Sequence, residues 1–286
     1  AIRALTDRAD PIFADDKLNA VRDDLDISAR LAKLAIDQGP NVRREAIIAL
    51  GRLRWPKTAE WLRDNLKTPD ATLTHAAQQA LRSMTNWPAV LRLLDLSDKY
   101  PIRPIALRAV AWQTSPVVAD GLLVRLKAAK TQSRRSDYAG LLARIYKKPA
   151  EWKYWGYRPA PRAPHTVEWE STKVIATALD AALAKADKTI VPQLLRQLER
   201  EGVPIQLATL KALAQRERDA ETVGSLLQAL ARHPAERVQD ELLAIIREHR
   251  HATANRLKAI ELLARQKEAD KLWLPLATKV EVGSTL

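Results

Sequence analysis

The chain has 286 residues, of which 47% are apolar but only 5% aromatic, with a single Phe. Its core must therefore come from Leu, Ala, Ile and Val, in the thin layers that stacked helices make. The formal charge of +13 gives a basic surface that acidic partners would feel. The absence of Cys excludes disulfides, thiolate metal sites and thiol catalysis, and no apolar run reaches the roughly eighteen residues that would span a membrane.

The chain opens Ala1-Ile2-Arg3, with no Met and no signal-peptide pattern, which reads as a processed product or an excerpt from something larger. Through Asp26 it is slightly acidic, because Asp7, Asp10, Asp15, Asp16, Asp23, Asp24 and Asp26 outnumber Arg3, Arg8, Lys17 and Arg22. The cationic surplus begins with a set of internal repeats. Val42, Ala46, Ala49, Leu50 and Leu53 recur about thirty residues on as Leu73, Ala77, Ala80, Leu81 and Met84, and again as Ile102, Ala106, Ala109 and Val110. Offsets of zero, four, seven and eight trace one stripe of a helix with 3.6 residues per turn. Ala at the second offset lets neighbouring helices approach closely. In the second half, Ile205, Thr209, Ala212 and Leu213 are expected to match Val238, Leu242, Ile245 and Ile246.

Partner helices fall between these inner ones, at Thr58 to Leu66, Pro88 to Leu96, Pro116 to Ala128 and Glu221 to Arg232. Pro stands early in several of them, where its missing N–H is harmless and its fixed φ suits the first turn. Gly is scarce, with 8 residues, and alternating β-branched runs are absent. The expected fold is all-α, a helical-repeat solenoid built from helix pairs that cannot bury their apolar faces alone. The start Pro40-Asn41-Val42-Arg43, followed by Ala46 and Ala49-Leu50-Gly51, resembles HEAT repeats of the bacterial HEAT-like type. That degenerate motif implies architecture and, by itself, no specific activity.

One stretch breaks the helical period, dividing the chain into repeats over 1–146, an insert over 147–171 and further repeats over 172–286. Pro149, Pro159, Pro161 and Pro164 forbid a continuous helix across the insert. Trp152, Tyr154, Trp155, Tyr157 and Trp169 are crowded into it, out of 8 Trp and 5 Tyr in the whole chain. Arg144, Lys147, Lys148, Lys153, Arg158 and Arg162 face only Glu151 between residues 144 and 162. So many aromatics argue for an ordered segment. Trp152, Trp155, Arg158 and Trp169 are expected to anchor it, with Arg158 paired to Glu168 or Glu170. Lys153, Tyr157, Arg162 and His165 are expected to form the partner-binding surface.

The run Tyr154-Trp155-Gly156-Tyr157-Arg158-Pro159, then Pro164, then Glu168-Trp169-Glu170-Ser171-Thr172, is similar to an insert in HEAT regions of large secreted proteins of planctomycetes and related bacteria. Those proteins join a dehydrogenase-like β-propeller, a HEAT array and a c-type haem domain. The resemblance implies an extracytoplasmic, periplasmic setting in a redox assembly. This chain departs at Tyr154 and Tyr157 and carries no Cys-x-x-Cys-His.

Other residues read more plainly. Trp55-Pro56 and Trp87-Pro88 recur one repeat apart, with Trp112 near the equivalent place. A Trp just before a helix-starting Pro is expected to staple the following helix, the alternative being a ladder of exposed Trp that serves as a ligand platform. His249-Arg250-His251 lacks the third spaced ligand of a metal site and suits a helix C-terminus. His75, beside the Ala stripe, is expected to be a packed or solvent-edge residue rather than a catalytic base. No Gly-x-Ser-x-Gly elbow, Gly-rich phosphate loop or paired-carboxylate motif is present, so no catalytic residue, metal or cofactor is assigned. The expected function is a non-catalytic protein-interaction scaffold without a membrane span. The alternative is nucleic-acid binding, as in HEAT-like alkylpurine DNA glycosylases that cradle DNA in a basic concave face.

Overall fold

The computed structural model describes Ile2 and residues 25–151, 154–155, 158–159 and 166–264. Leu25, Asp26, Tyr154, Trp155, Arg158, Pro159 and Ala235 are described in their backbone only. The acidic stretch before Leu25 and the last residues from 265 lie outside the described residues. Among those described, fourteen helices account for almost all regular structure, and the fold is all-α and built of HEAT-like repeats. The chain divides into two compact units, 1–124 and 125–286.

The first unit holds α1 (Leu25–Leu34), α2 (Pro40–Arg52), α3 (Thr58–Asn65), α4 (Ala71–Ser83), α5 (Trp87–Leu93), α6 (Ile102–Val110) and the start of α7 (Pro116–Ala128). Helices α2, α4 and α6 pack side by side as one row, while α3 packs on α5 as the other. The sequence stripe explains the first row. Ala46, Ala77 and Ala106 are all fully buried, as are Leu50, Leu81 and Val110 at the eighth offset. Gly51 marks the closest approach, since a Cβ there would lie 2.5 Å from the Ala80 Cα. Only an absent side chain permits that spacing.

The second unit begins with the end of α7 and continues with α8 (Gln132–Arg144), a two-stranded hairpin of β1 (Tyr154–Trp155) and β2 (Arg158–Pro159), and α9 (Thr172–Ala184). Then follow α10 (Val191–Arg200), α11 (Leu207–Arg216), α12 (Ala220–Leu230), α13 (Ala235–Arg247) and α14 (Thr253–Leu263). Again there are two rows, α9 beside α11 beside α13, and α8 beside α10 beside α12 beside α14. The stripe reads Ile175, Leu179, Ala182, Leu183 on α9 and Val238, Leu242, Ile245, Ile246 on α13, all buried.

On α11 the expected stripe holds at Thr209 and Leu213, both buried, and shifts by one residue elsewhere. Leu210, Leu213 and Ala214 are the buried apolar positions, whereas Ala212 is exposed. The run Leu207-Ala208-Thr209-Leu210-Lys211-Ala212-Leu213-Ala214 is apolar on nearly every side, so two neighbouring stripes fit it equally. Packing against α9 and α13 selects the bulkier one.

Helix ends left without intrahelical partners are satisfied by the next repeat. The Trp61 indole N–H donates to the Ala32 carbonyl at 3.1 Å. The Arg82 guanidinium donates to the carbonyls of Arg108 at 2.8 Å and Ala109 at 3.2 Å, at the end of α6. The Asp180 carboxylate accepts from the Gln206 amide at 2.9 Å and the Thr209 hydroxyl at 2.8 Å, capping α11 from α9. These links fix the lateral order of each row.

Candidate functional site

Two features stand out from the stacking, and the first is the insert. Its two ends are tied together where the Lys148 amide donates to the Val167 carbonyl at 2.8 Å and the Val167 amide returns the bond at 2.9 Å. Beyond that bridge the hairpin pairs Tyr154 with Pro159 and Trp155 with Arg158. The segment expected to be irregular thus contains a short antiparallel ribbon. Trp169 is half-buried. Its indole N–H donates to the Ile145 carbonyl at 2.9 Å, and the Lys148 ammonium lies 5.1 Å from its ring. The Thr172 hydroxyl accepts from the Trp169 amide and donates to the Tyr146 carbonyl. Trp169 therefore closes the end of α8 and leads into α9.

Of the other insert residues, Trp155 and Arg158 are described in their backbone only, and Trp152, Lys153, Tyr157, Arg162 and His165 lie outside the described residues. Glu168 sits 3.5 Å from the Lys147 ammonium and, like Glu170, is exposed.

The second feature is a groove of about 770 Å³ on the first unit, over α2 and α4. It grows from the same repeat that builds the core. Counting from Val42 and Leu73, offsets two, six and ten carry Arg44, Ile48 and Arg52 on α2, and His75, Gln79 and Ser83 on α4. These positions lie one step around the helix from the buried stripe, so every repeat presents them on one open face. Ile48, Ala76 and Ala80 form an apolar floor, and Arg44, Arg52, Arg54 and His75 supply positive or protonatable groups. Among the described residues the lining includes no carboxylate; Glu45 stands beside it, 2.8 Å from Arg44.

On α6 the same offsets give Pro104, Arg108 and Trp112, all exposed. Arg82 bonds the Ala111 carbonyl at 3.4 Å, which brings the residue next to Trp112 against the end of α4. Arg54, Thr85 and Trp112 close the three inner helices in turn, and all have positive φ, at 52°, 53° and 70°. Glycine would adopt that conformation without the Cβ conflict the three residues carry.

The Trp series departs from the expected uniform staple. Trp55 is buried and Trp87 half-buried, but Trp112 is 51% exposed. The cause is backbone: α6 ends early, so Trp112 takes the left-handed position that Arg54 and Thr85 take in the earlier repeats. Of the two places the sequence left open for His75, packed or at a solvent edge, the structure shows the exposed one, and its neighbours were not foreseen. The signal was available as the offsets two, six and ten, adjacent to the stripe that was read.

His251, read as a helix-end cation, is instead buried at 4% exposure, with Nε2 3.4 Å from Glu248, whose carboxylate is also held by Arg218. No group of His, Asp or Glu that could hold a metal ion occurs among the described residues. No helix among them is long and apolar enough to cross a membrane.

A family model for HEAT repeats matches residues 1–82, a stretch that takes in α2, nearly all of α4 and most of the residues lining their groove. Comparison with curated proteins gives no match.

Proposed function

We propose that this chain is a protein-interaction scaffold without catalytic activity of its own, working within a larger extracytoplasmic bacterial assembly. The observation that carries the reading is the open stripe of the first unit. The repeats spend their apolar stripe on stacking, and leave a shaped cationic groove with an apolar floor facing outward. Such a surface suits a polypeptide, which offers charge and apolar side chains together. HEAT-like repeats commonly mediate protein interactions, which supports the same reading. The extracytoplasmic and redox setting rests on the likeness of the insert to those of planctomycete-type secreted proteins.

A photo-crosslinking residue at Gln79, inside the groove, tests the scaffold directly, with the same residue at Lys67 as control. In the native host, Gln79 should yield a protein adduct of one defined mass that Lys67 does not. Nucleic-acid adducts at Gln79 would favour the glycosylase-like alternative. That alternative also predicts tight duplex binding, whereas a scaffold's weak affinity for random duplex should vanish by physiological salt.

A further inference from the structure

We infer that the groove of the first unit is a receptor for an extended acidic peptide, with Trp112 receiving an apolar residue at its far end. This rests on the scaffold reading and names its occupant. Three observations carry it independently.

The first is charge. Arg44, Arg52, Arg54 and His75 line the groove without a carboxylate among the lining residues, and exposed Arg108 extends the series on α6. Guanidinium groups hold carboxylates through paired, charge-assisted hydrogen bonds. Repeat geometry does not dictate this charge. In the second unit the same offsets carry Thr177, Ala181 and Lys185 on α9, Ala208, Ala212 and Arg216 on α11, and Asp240, Ala244 and Glu248 on α13. There alanine holds the middle offset, Lys185 and Arg216 are the only cations, and α13 carries Asp240 and Glu248, so the run of Arg44, Arg52 and Arg54 is not imposed by the repeat.

The second is strain. Arg54, Thr85 and Trp112 keep a side chain where the backbone favours glycine. Non-glycine residues retained in such conformations point to a use for the side chain itself. Arg54 adds a cation to the groove mouth, and Trp112 adds the exposed aromatic surface at its end.

The third is shape. Three adjacent helices spaced about 10 Å apart give a track of about 20 Å, the span of about six extended residues. The floor of Ile48, Ala76 and Ala80 offers apolar contact that a phosphodiester backbone would not use. A duplex, charged every ~1.7 Å along its axis, would draw on a longer stripe of cations than two or three helices supply.

The probe is a fluorescein-labelled peptide of about ten residues, with Glu or Asp at alternate positions and one Leu near an end. Its binding to the intact chain is read by polarisation, beside a Gln/Asn peptide of the same length and a short DNA duplex. The acidic peptide should bind, weaken with added salt, and exceed the neutral one by at least about ten-fold. Arg54→Gly separates a binding role from a structural one. It should raise the melting temperature by relieving the left-handed position, while lowering peptide affinity by about ten-fold. Trp112→Asn, which tolerates positive φ, should lower affinity for the Leu-containing peptide but not for one with Ser in its place.

Equal binding of neutral and acidic peptides would overturn the inference, as would tighter binding of the duplex, or an Arg54→Gly chain with unchanged affinity. If the peptide fails while Gln79 still crosslinks to a defined protein, the occupant is wrong and the scaffold stands. If both fail, the scaffold reading falls too.

Discussion

At the scale of single residues, the backbone sets costs that composition hides. Arg54 and Trp55 close α2 through a Schellman motif: the Trp55 amide donates to the Leu50 carbonyl and the Arg54 amide to the Gly51 carbonyl, both at 3.1 Å. Gly202 occupies the same position after α10, at φ 66°, without Cβ conflict. Replacing Thr85 by Gly should therefore stabilise the first unit by about 0.5–1 kcal/mol, the relief of the left-handed Cβ conflict exceeding the added chain entropy. Urea midpoints of the two chains decide the point, and a destabilised variant would mean that the Thr85 side chain contributes packing. Gly51 gives the opposite sign. Ala is the better helix former by about 1 kcal/mol, but its Cβ would meet the Ala80 Cα at 2.5 Å. Gly51→Ala should cost about 1–3 kcal/mol as α2 is forced from α4. The inner-row alanines that flank this contact were legible from their spacing alone. The left-handed ends were not, because no glycine announced them.

His251 carries the pH dependence at this scale. Burial draws its imidazole below the ordinary histidine range, reinforced by Arg218, Arg250 and Arg256, while Glu248 pulls the other way. Its Nδ1 is buried without a hydrogen-bond partner among the described residues. A histidine depressed on folding is protonated first in the unfolded chain. Its stabilising contribution is complete above the unfolded value of about 6.5 and is lost as pH falls from there toward the folded value. Stability should thus decline as pH drops below that point, and His251→Gln should flatten the slope. Parallel pH profiles for the two chains would show that another group carries it.

At the scale of elements, the insert illustrates how far sequence could go. That an aromatic residue holds its exit could be read from Trp and Tyr crowded among prolines, and Trp169 is bonded there to the Ile145 carbonyl. The contact of Glu168 with Lys147 could not. Glu168 lies beside Lys147, which the return of the chain at Lys148 and Val167 brings close, and no local pattern encodes that return. The geometry makes Trp169 a hydrogen-bonding strap as much as an apolar plug. Ile145 is fully buried, and its carbonyl accepts the indole N–H at 2.9 Å. Trp169→Phe keeps most of the ring but leaves that carbonyl unpaired, so it should cost about 1–3 kcal/mol. Trp169→Ala should cost more. If Phe proved as stable as Trp, the strap would be held by ring contact and the hydrogen bond would count for little.

The α11 stripe was legible only in part for a related reason. Where apolar residues surround a helix, periodicity admits two stripes, and only neighbouring helices choose between them. On α2, α4 and α6 polar residues interrupt the pattern often enough to leave one answer. Several of those polar residues, at offsets two, six and ten, line the groove, with Ile48 as its apolar member on α2.

At the scale of the whole molecule, contacts run along rows from each repeat to its neighbours. Stability in such an array is a sum of repeat and interface terms, so the chain need not unfold all at once. The single-residue changes provide addresses for its parts: Gly51→Ala and Thr85→Gly act on the first unit, and His251 acts on the second. Unfolding should accordingly be broad or multiphasic, with a calorimetric enthalpy larger than the van't Hoff value. Gly51→Ala should move the component belonging to the first unit, and a shift from neutral to mildly acid pH should move the other. Fluorescence would resolve them through single Trp probes, Trp61 for the first unit and Trp169 for the second, each kept while the remaining Trp residues are replaced. If both probes report one sharp transition, and Gly51→Ala shifts both equally, the two units fold as a single cooperative block. The interfaces between repeats would then be stronger than nearest-neighbour stacking of thin alanine-rich layers accounts for.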